Sequence, residues 1–282
     1  MIVRAKKLTK RFGSVVALDS VDLEIPGGLT VVVGPPNGGG KSTFMKIATG
    51  AYRPSGGCIE VLGGKDLAGR GSKEASGGAS FDPPALPPLR TGREWLEYVS
   101  EARGGGNGRD VTEAAETFGI EGGFVDKRVR DYSAGMRKRV SLAQAFVGDP
   151  ELVFLDEPLA NLDLEGMKNV VGGVIQRKHE EGLNLVVISH IWRPFLEMAD
   201  YAVFIAAGRV QASGDPDEVL PLIEGASRCE VVEMKGGGAI LIGGAMLLLS
   251  IVAGAAGAVS GGAVTEYSSW TPARASSSLR RD

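Results

Sequence analysis

The sequence has few cysteines, no excess of basic residues and no apolar segment at its start. Cys58 and Cys229 are far apart and in no metal-ligand spacing, so we expect no disulfide framework and a reducing, cytosolic environment. The 31 Lys and Arg are balanced by 34 Asp and Glu, and the formal net charge of −3 argues against a dedicated nucleic-acid-binding protein. Residues 1–13 lack the apolar run that a secretory signal requires. The sequence contains no internal repeat, which predicts one functional unit rather than two.

The apolar residues that are present, 43% of the chain, are grouped in short runs. These runs predict strands at residues 2–3, 15–18, 21–25, 29–33, 152–155, 183–188 and 202–205. Helical spacing predicts helices at residues 41–49, 93–101, 111–118 and 135–146, whereas glycine, serine and proline predict a loop at residues 63–88. Because strands alternate with helices, we expect an α/β fold with a parallel, helix-covered sheet.

A glycine-rich segment at residues 34–43, Gly-Pro-Pro-Asn-Gly-Gly-Gly-Lys-Ser-Thr, lies between a predicted buried strand and a predicted helix. Glycines allow backbone N–H groups to converge on triphosphate oxygens, and the helix N-terminus that follows favours an anion. In this pattern Lys41 reaches the β- and γ-phosphates, and the Ser42 hydroxyl ligates Mg²⁺. We therefore predict a site for ATP and Mg²⁺, whose other loop residues are Asn37, Gly38, Gly39, Gly40 and Thr43.

This segment departs from the phosphate-loop pattern at one position. The pattern has glycine six residues before the lysine, but this sequence has Pro35 there and Gly34 one residue earlier. Either the loop carries one extra residue or the first glycine has been replaced. Because proline fixes φ and has no N–H, we expect the start of the loop to follow a different local path.

Two adjacent carboxylates, Asp156 and Glu157, follow the predicted strand at residues 152–155. A buried strand rarely ends in paired acids unless they meet a cation or a reacting water. Asp156 is placed to hold Mg²⁺, and Glu157 to polarise the attacking water.

Residues 132–139, Tyr-Ser-Ala-Gly-Met-Arg-Lys-Arg, open the helix that precedes these carboxylates. With the motifs above, this segment resembles the ABC ATPase family, whose signature reads Leu-Ser-Gly-Gly-Gln or a close variant. Ser133 and Gly135 match the signature, whereas Tyr132, Ala134 and Met136 depart from it at its looser positions. The resemblance implies that Ser133 and Gly135 contact the γ-phosphate of an ATP held by the opposite subunit, so that two subunits enclose two ATP molecules.

The resemblance covers about residues 1–220 and implies roles for four more residues. His190 matches the family's switch histidine, which contacts the γ-phosphate, and Phe12 aligns with the aromatic residue that stacks on adenine. Asp163 ends the segment after the two carboxylates and joins the nucleotide-binding set. The family's lid glutamine, near Mg²⁺ and the attacking water, aligns with Asp82, which can ligate Mg²⁺ but cannot donate a hydrogen bond as an amide does.

The resemblance also implies a fold, a reaction and partners. It implies a P-loop NTPase (RecA-like) parallel sheet core in residues 1–222, with an antiparallel β subdomain and an α-helical signature subdomain at about residues 84–150. The implied function is Mg²⁺-dependent ATP hydrolysis by a homodimer or heterodimer of ATPase subunits. This hydrolysis would drive transport through a separate transmembrane permease subunit, with the ATPase peripheral at the cytoplasmic face of the cell membrane.

Two alternative functions stay open. A soluble ABC ATPase without a transport role is one, although such proteins typically carry two ATPase units or a long coiled-coil insertion, and this sequence has neither. A regulatory subunit with impaired catalysis is the other. Pro35 and Asp82 favour this second alternative, whereas the intact Glu157 and His190 argue against it.

The C-terminal residues 223–282 also allow two interpretations. Residues 236–264 carry no charge, and residues 239–259 are long and apolar enough to span a bilayer and anchor the chain. Repeated Gly-Gly pairs and the polar and aromatic residues 267–270 favour instead a small α/β appendage. We expect the appendage and keep the membrane span as the alternative.

Overall fold

The computed structural model of the chain describes residues 1–36, 38–64, 77–105, 108–120 and 123–233, with side chains to residue 226. The chain divides into two units, Met1–Ile223 and Glu224–Asp282. Of the second unit only the end of one helix is described, so both interpretations of residues 236–264 fall outside the described residues. Within the described ranges, no helix combines the length and the apolar character needed to cross a membrane.

The first unit contains two β-sheets. The strands are β1 Val3–Phe12, β2 Val15–Ile25, β3 Leu29–Val33, β4 Gly56–Val61, β5 Gly77–Ser80, β6 Leu152–Asp156, β7 Asn184–Ile188, β8 Tyr201–Ala206 and β9 Arg209–Gly214. The larger sheet has six strands in the order β5-β6-β7-β3-β8-β9. The first five of these are parallel, and β9 is antiparallel to β8. The smaller sheet is antiparallel, with the order β2-β1-β4.

The helices follow the strands as the alternating pattern predicts. They are α1 Lys41–Ala48, α2 Gly92–Ala102, α3 Arg109–Thr117, α4 Ala134–Phe146, α5 Leu164–Lys168, α6 Arg177–Glu180, α7 Arg193–Leu196 and α8 Pro216–Glu233. A π-helical stretch, Asn169–Gln176, joins α5 to α6, and short 3₁₀ turns lie at Leu62–Gly64, Phe124–Asp126 and Val129–Asp131. Helices α2 to α4 lie between β5 and β6 in the chain and form the helical part of the fold.

The burial of the strands explains their sequence patterns. Every residue of β3 and β6 is buried, as expected for a parallel sheet that is covered on both faces. Strand β1 starts with alternating buried and exposed residues, Val3, Arg4 and Ala5, because only one face of the small sheet packs against the core. That core includes Phe44 of α1, which lies between the two sheets' apolar residues.

The prediction of a loop throughout residues 63–88 is wrong, because β5 lies within it. The strand has no apolar run, since its four residues are Gly, Gly, Ala and Ser. Their small size is required by α4: a Cβ atom at Gly78 would lie 1.7 Å from the carbonyl oxygen of Ala145. The Ser80 hydroxyl also lies 2.9 Å from the Ser141 hydroxyl of the same helix. Close packing, rather than hydrophobicity, therefore selects this sequence.

Candidate functional site

The predicted chemical groups meet at one edge of the six-stranded sheet. Strands β3, β5, β6 and β7 are parallel neighbours, so their carboxyl ends lie at the same edge, where open α/β sheets bind ligands. The glycine-rich loop follows β3, Asp82 follows β5, Asp156 and Glu157 end β6, and His190 follows β7. The structure thus brings together residues that are more than a hundred positions apart in sequence.

The glycine-rich loop is closest to the sheet at Gly34. A Cβ atom there would lie 1.9 Å from the carbonyl oxygen of Ile205 on β8, so only glycine fits. This close approach comes one residue before Pro35, which favours the alternative that the loop carries one extra residue. Asn37 lies outside the described residues, whereas Gly38 and Gly40 adopt left-handed φ angles of 72° and 98°.

Lys41 begins α1, followed by Ser42 and Thr43, and its side chain is buried beneath the loop. Its ammonium donates to the carbonyl oxygen of Gly34 at 3.2 Å and to that of Pro35. Two backbone oxygens of the loop therefore hold the lysine ammonium close to the N-terminus of α1.

Ser42 and Asp156 form a partly buried oxygen pair. The Ser42 hydroxyl donates to Asp156 Oδ1 at 3.2 Å, whereas Oδ2 is buried without a hydrogen-bond partner in the described part of the chain. Burial raises the pKa of Asp156, and the nearby Glu157 acts in the same direction, whereas the hydrogen bond from Ser42 opposes the rise. An unsatisfied carboxylate oxygen next to a hydroxyl fits a hard divalent cation such as Mg²⁺, which prefers oxygen ligands.

No cluster of three or more Asp, Glu, His or Cys side chains forms a complete metal cage among the residues described. This agrees with the oxygen pair just described, because Mg²⁺ is usually held by one or two carboxylates together with substrate phosphates rather than by protein alone.

Glu157 is held by the end of the neighbouring strand β7. Its carboxylate accepts hydrogen bonds from the His190 backbone N–H at 3.0 and 3.2 Å and from the Ser189 hydroxyl at 3.2 Å. His190 Nδ1 also lies 2.7 Å from Glu157 Oε2. Glu157 has a φ of 46°. Non-glycine residues adopt such positive φ angles at an energetic cost, and residues that do so cluster at functional sites. The Glu157 carboxylate and the imidazole therefore form one hydrogen-bonded group.

Ser133 and Gly135 lie at the start of α4, away from this group. The Ser133 hydroxyl caps the helix by accepting from the Met136 N–H at 3.2 Å, and the residue is exposed. Among the described residues, no hydrogen bond joins Ser133 to the glycine-rich loop or to the carboxylates. The N-terminus of α4 is therefore open to a ligand from outside the chain.

Tyr132 explains one departure from the signature. Its buried hydroxyl accepts from the Gly92 N–H at 3.0 Å and donates to the Val125 carbonyl at 3.3 Å. Burial raises the pKa of this phenol, the Gly92 contact lowers it, and the neutral form suits both hydrogen bonds. The tyrosine thus joins α2 to the segment before α4.

Phe12 and Asp163 lie at the surface. The Phe12 ring is 44% exposed and packs edge-to-face against Tyr52, with a centroid distance of 5.6 Å. Lys10 Nζ lies 4.9 Å from the centre of the Phe12 ring. Asp163 caps α5 by accepting from the Gly166 N–H at 2.9 Å, and Arg139 lies 3.4 Å from the same oxygen. Neither residue contacts the carboxylates, and their nucleotide contacts stay predictions.

Two polar residues of the site, Ser189 and Lys138, are not found by sequence reasoning. Ser189 supports Glu157, as described above. The side chain of Lys138 is fully buried, and its ammonium donates to the Asp156 carbonyl oxygen at 2.9 Å and lies 3.5 Å from Asp82 Oδ1. Burial lowers the pKa of Lys138, an effect that the negative charge of Asp82 opposes. Helical spacing could have predicted that Lys138 is buried, because it shares the buried face of α4 with Ser141, Leu142 and Ala145.

Comparison with known proteins identifies the class to which this fold and site belong. The family model described as ABC transporter matches residues 18–160, half of the chain. The chain therefore belongs to the ABC transporter ATP-binding family, which confirms the family and the fold that the sequence predicts.

Individual relatives agree with this assignment. The sulfoquinovosyl glycerol transport ATP-binding protein of Agrobacterium fabrum is 32% identical over 77% of this chain and 61% of its own length. The bacitracin transport ATP-binding protein of Enterococcus faecalis is 28% identical over 71% of this chain and 64% of its own length. The chain thus spans less than two thirds of both relatives.

A solved structure shares the fold. It is a dimeric ATP-binding cassette in a post-hydrolysis state with ADP and Pi. Its TM-score is 0.65 and its identity 22%, over 76% of this chain and 99% of that one.

Proposed function

We propose that this protein hydrolyses ATP with Mg²⁺ as the nucleotide-binding subunit of a membrane transporter. The observation that carries the proposal is the buried Oδ2 of Asp156, which has no hydrogen-bond partner among the residues that the structure describes. It lies next to the Ser42 hydroxyl and one residue from Glu157, at the sheet edge where the glycine-rich loop ends.

Each residue has a role that follows from its position. The N–H groups of Gly38, Gly39 and Gly40 and the start of α1 bind the phosphates, because a helix N-terminus and a glycine loop favour an anion. Lys41 would exchange the carbonyl oxygens of Gly34 and Pro35 for phosphate oxygens, which form stronger, charge-assisted hydrogen bonds.

Ser42 and Asp156 would hold Mg²⁺, and Asp82, which follows the neighbouring strand β5, would contribute a third oxygen ligand. When bound, the cation offsets negative charge on the transferred phosphoryl group. Asn37 and Thr43, which flank the central glycines and Ser42, complete the loop that surrounds the phosphates.

Glu157 would orient the attacking water and accept its proton, because its carboxylate is fixed by Ser189 and His190 rather than left to rotate. His190 is half exposed, so its imidazole can reach the terminal phosphate while Nδ1 contacts Glu157. This intact pair favours an active ATPase over a regulatory subunit.

Ser133 and Gly135 would bind the ATP of a second subunit, in a homodimer or a heterodimer. The exposed N-terminus of α4 supports this arrangement, because helix N-termini favour anions. Asp163, at the start of α5, would join the nucleotide-binding set. Phe12 would stack on the adenine through its exposed ring face.

The coupling to transport rests on the family and on the names of the relatives. In the proposed assembly the subunit lies at the cytoplasmic face of a membrane, bound to a separate transmembrane permease. Purification from detergent-solubilised membranes tests this point: a co-purifying polytopic membrane protein is expected, and its reproducible absence would remove the transport role without touching the ATPase site.

The catalytic site is tested by Glu157→Gln in the full-length chain. We expect ATP to bind normally and the Mg²⁺-dependent hydrolysis rate to fall about 10²–10⁴-fold, because the amide cannot accept the proton of the water. Phosphate release measures the rate, and binding of a fluorescent ATP analogue measures affinity. Glu181→Gln is the matched control, since Glu181 only pairs with surface lysine and arginine residues. Wild-type turnover in Glu157→Gln would remove Glu157 from the mechanism.

A further inference from the structure

Lys138 is a fully buried cation whose ion pair with Asp82 is long and reaches a partly exposed carboxylate. Its side chain is 0% exposed, its shortest contact is the Asp156 backbone oxygen at 2.9 Å, and the Asp82 carboxylate lies at 3.5 Å. Lysine is almost never fully buried unless it is paired, because withdrawing an ammonium group from water costs several kcal/mol. A cation at this depth therefore needs a reason beyond packing.

The surroundings of Lys138 supply one. Ser80 pairs with Leu155 in the β5–β6 register, so Asp82 and Glu157, each two residues further on, leave the same edge of the sheet. Asp156 lies beside them, and Lys138 donates to its backbone carbonyl oxygen at 2.9 Å while lying 3.5 Å from the Asp82 carboxylate. Lys138 thus contacts the ends of both strands at the place where the cation and the attacking water are expected.

We propose that Lys138 is a positioning residue for hydrolysis, which ties the Asp82 carboxylate and the end of β6 in place beside the Mg²⁺ site. The ammonium shares Asp82 with the cation and offsets part of the negative charge. It thereby limits how tightly Asp82 and the other carboxylates bind the metal. This inference rests on the proposed function, since it concerns the same site.

The positive charge of Lys138 and its contact with Asp82 both weaken metal binding. Removing Lys138 should therefore raise the affinity for the metal. In Lys138→Met, Asp82 loses its counter-ion, and its full negative charge is available to the metal. We expect divalent-cation affinity to rise about threefold to tenfold, because one positive charge is removed near the site. We expect kcat to fall about tenfold to a hundredfold through misplaced groups, with the KM for ATP nearly unchanged, because Lys41 and the loop still hold the phosphates.

Two measurements on the full-length protein test this. Electron paramagnetic resonance follows Mn²⁺ binding to protein saturated with a non-hydrolysable ATP analogue, and steady-state kinetics separates kcat from KM. The double variant Lys138→Met/Asp82→Asn should regain near wild-type Mn²⁺ affinity and part of kcat, because the uncompensated charge is gone. Lys138→Gln should behave as Lys138→Met and covers the case in which methionine prevents folding. The surface pair Arg93 and Asp126, changed to Met and Asn, is the matched control.

Unchanged or weaker Mn²⁺ binding in both Lys138 variants would overturn the proposal. The proposal would also fail if the loss of kcat in the double variant equalled the sum of the losses in the two single variants, expressed as free energies. These outcomes indicate a packing role alone. Failure of the proposed site would look different: in that case Glu157→Gln would also keep its activity, whereas failure of the Lys138 inference leaves the Glu157→Gln defect intact.

Discussion

At the scale of single residues, the departures from the family pattern have local physical explanations. Tyr132 replaces the first residue of the signature and uses its hydroxyl to bind two backbone groups, the Gly92 N–H and the Val125 carbonyl. Gly34, one residue before Pro35, is required because the Ile205 carbonyl oxygen leaves no room for a Cβ atom. Local packing therefore explains the tyrosine at position 132 and the glycine at position 34.

Tyr132→Phe tests the first explanation. The ring still fits, but the buried Gly92 N–H loses its acceptor, which should cost about 1–3 kcal/mol of stability while leaving kcat nearly unchanged. Urea unfolding followed by circular dichroism measures the loss. Tyr98→Phe is the control, because Tyr98 is 60% exposed and its change should lie within about 0.5 kcal/mol. Equal stabilities for the two variants would contradict the role given to the hydroxyl.

At the scale of elements, the contact between β5 and α4 depends on the absence of a side chain. Gly78→Ala would place a methyl group within 1.7 Å of the Ala145 carbonyl oxygen if nothing moved. We expect a loss of about 1–3 kcal/mol or more, the usual cost of overpacking, and a lower thermal midpoint. Gly172→Ala is the control: no atom lies within 4 Å of its Cβ position, so alanine should be neutral or mildly stabilising in a helix. Similar midpoints for both variants would refute the close packing.

The elements also show what the sequence can and cannot predict. Strands β3, β6 and β7 are predictable because they are continuous apolar runs in a covered sheet. Strand β5 is not, because its residues are selected by the distance to α4 and not by hydrophobicity. The same holds in the site: Lys41, Asp156 and Glu157 follow from local motifs, whereas Lys138 acquires its neighbours only through folding.

At the scale of the whole molecule, the proposed function divides each nucleotide site between two chains. The loop and carboxylates lie at the sheet edge, whereas Ser133 lies at the exposed start of α4. In a dimer each site would take the loop from one subunit and the signature from the other. Dimerisation would then be a condition for hydrolysis, not only for stability.

Mixed dimers test this arrangement. Ser133→Arg combined with Lys41→Ala subunits gives one site with both defects and one with neither. We expect such mixtures to recover activity that neither homodimer shows, up to about half of wild type if the sites are independent. Phosphate release measures the recovery, and tagged subunits with sequential purification prove that mixed dimers form. No recovery in purified mixed dimers would contradict independent sites shared between subunits.

The contact of Gly78 with α4 also has a mechanical consequence. Because the two backbones meet there without a side chain between them, β5 and α4 cannot slide past each other at this point without a clash. Asp82 lies two residues beyond the strand, and Ser133 lies at the far end of the helix. We therefore expect a helix tilt caused by a bound partner to move the end of β5, and with it Asp82.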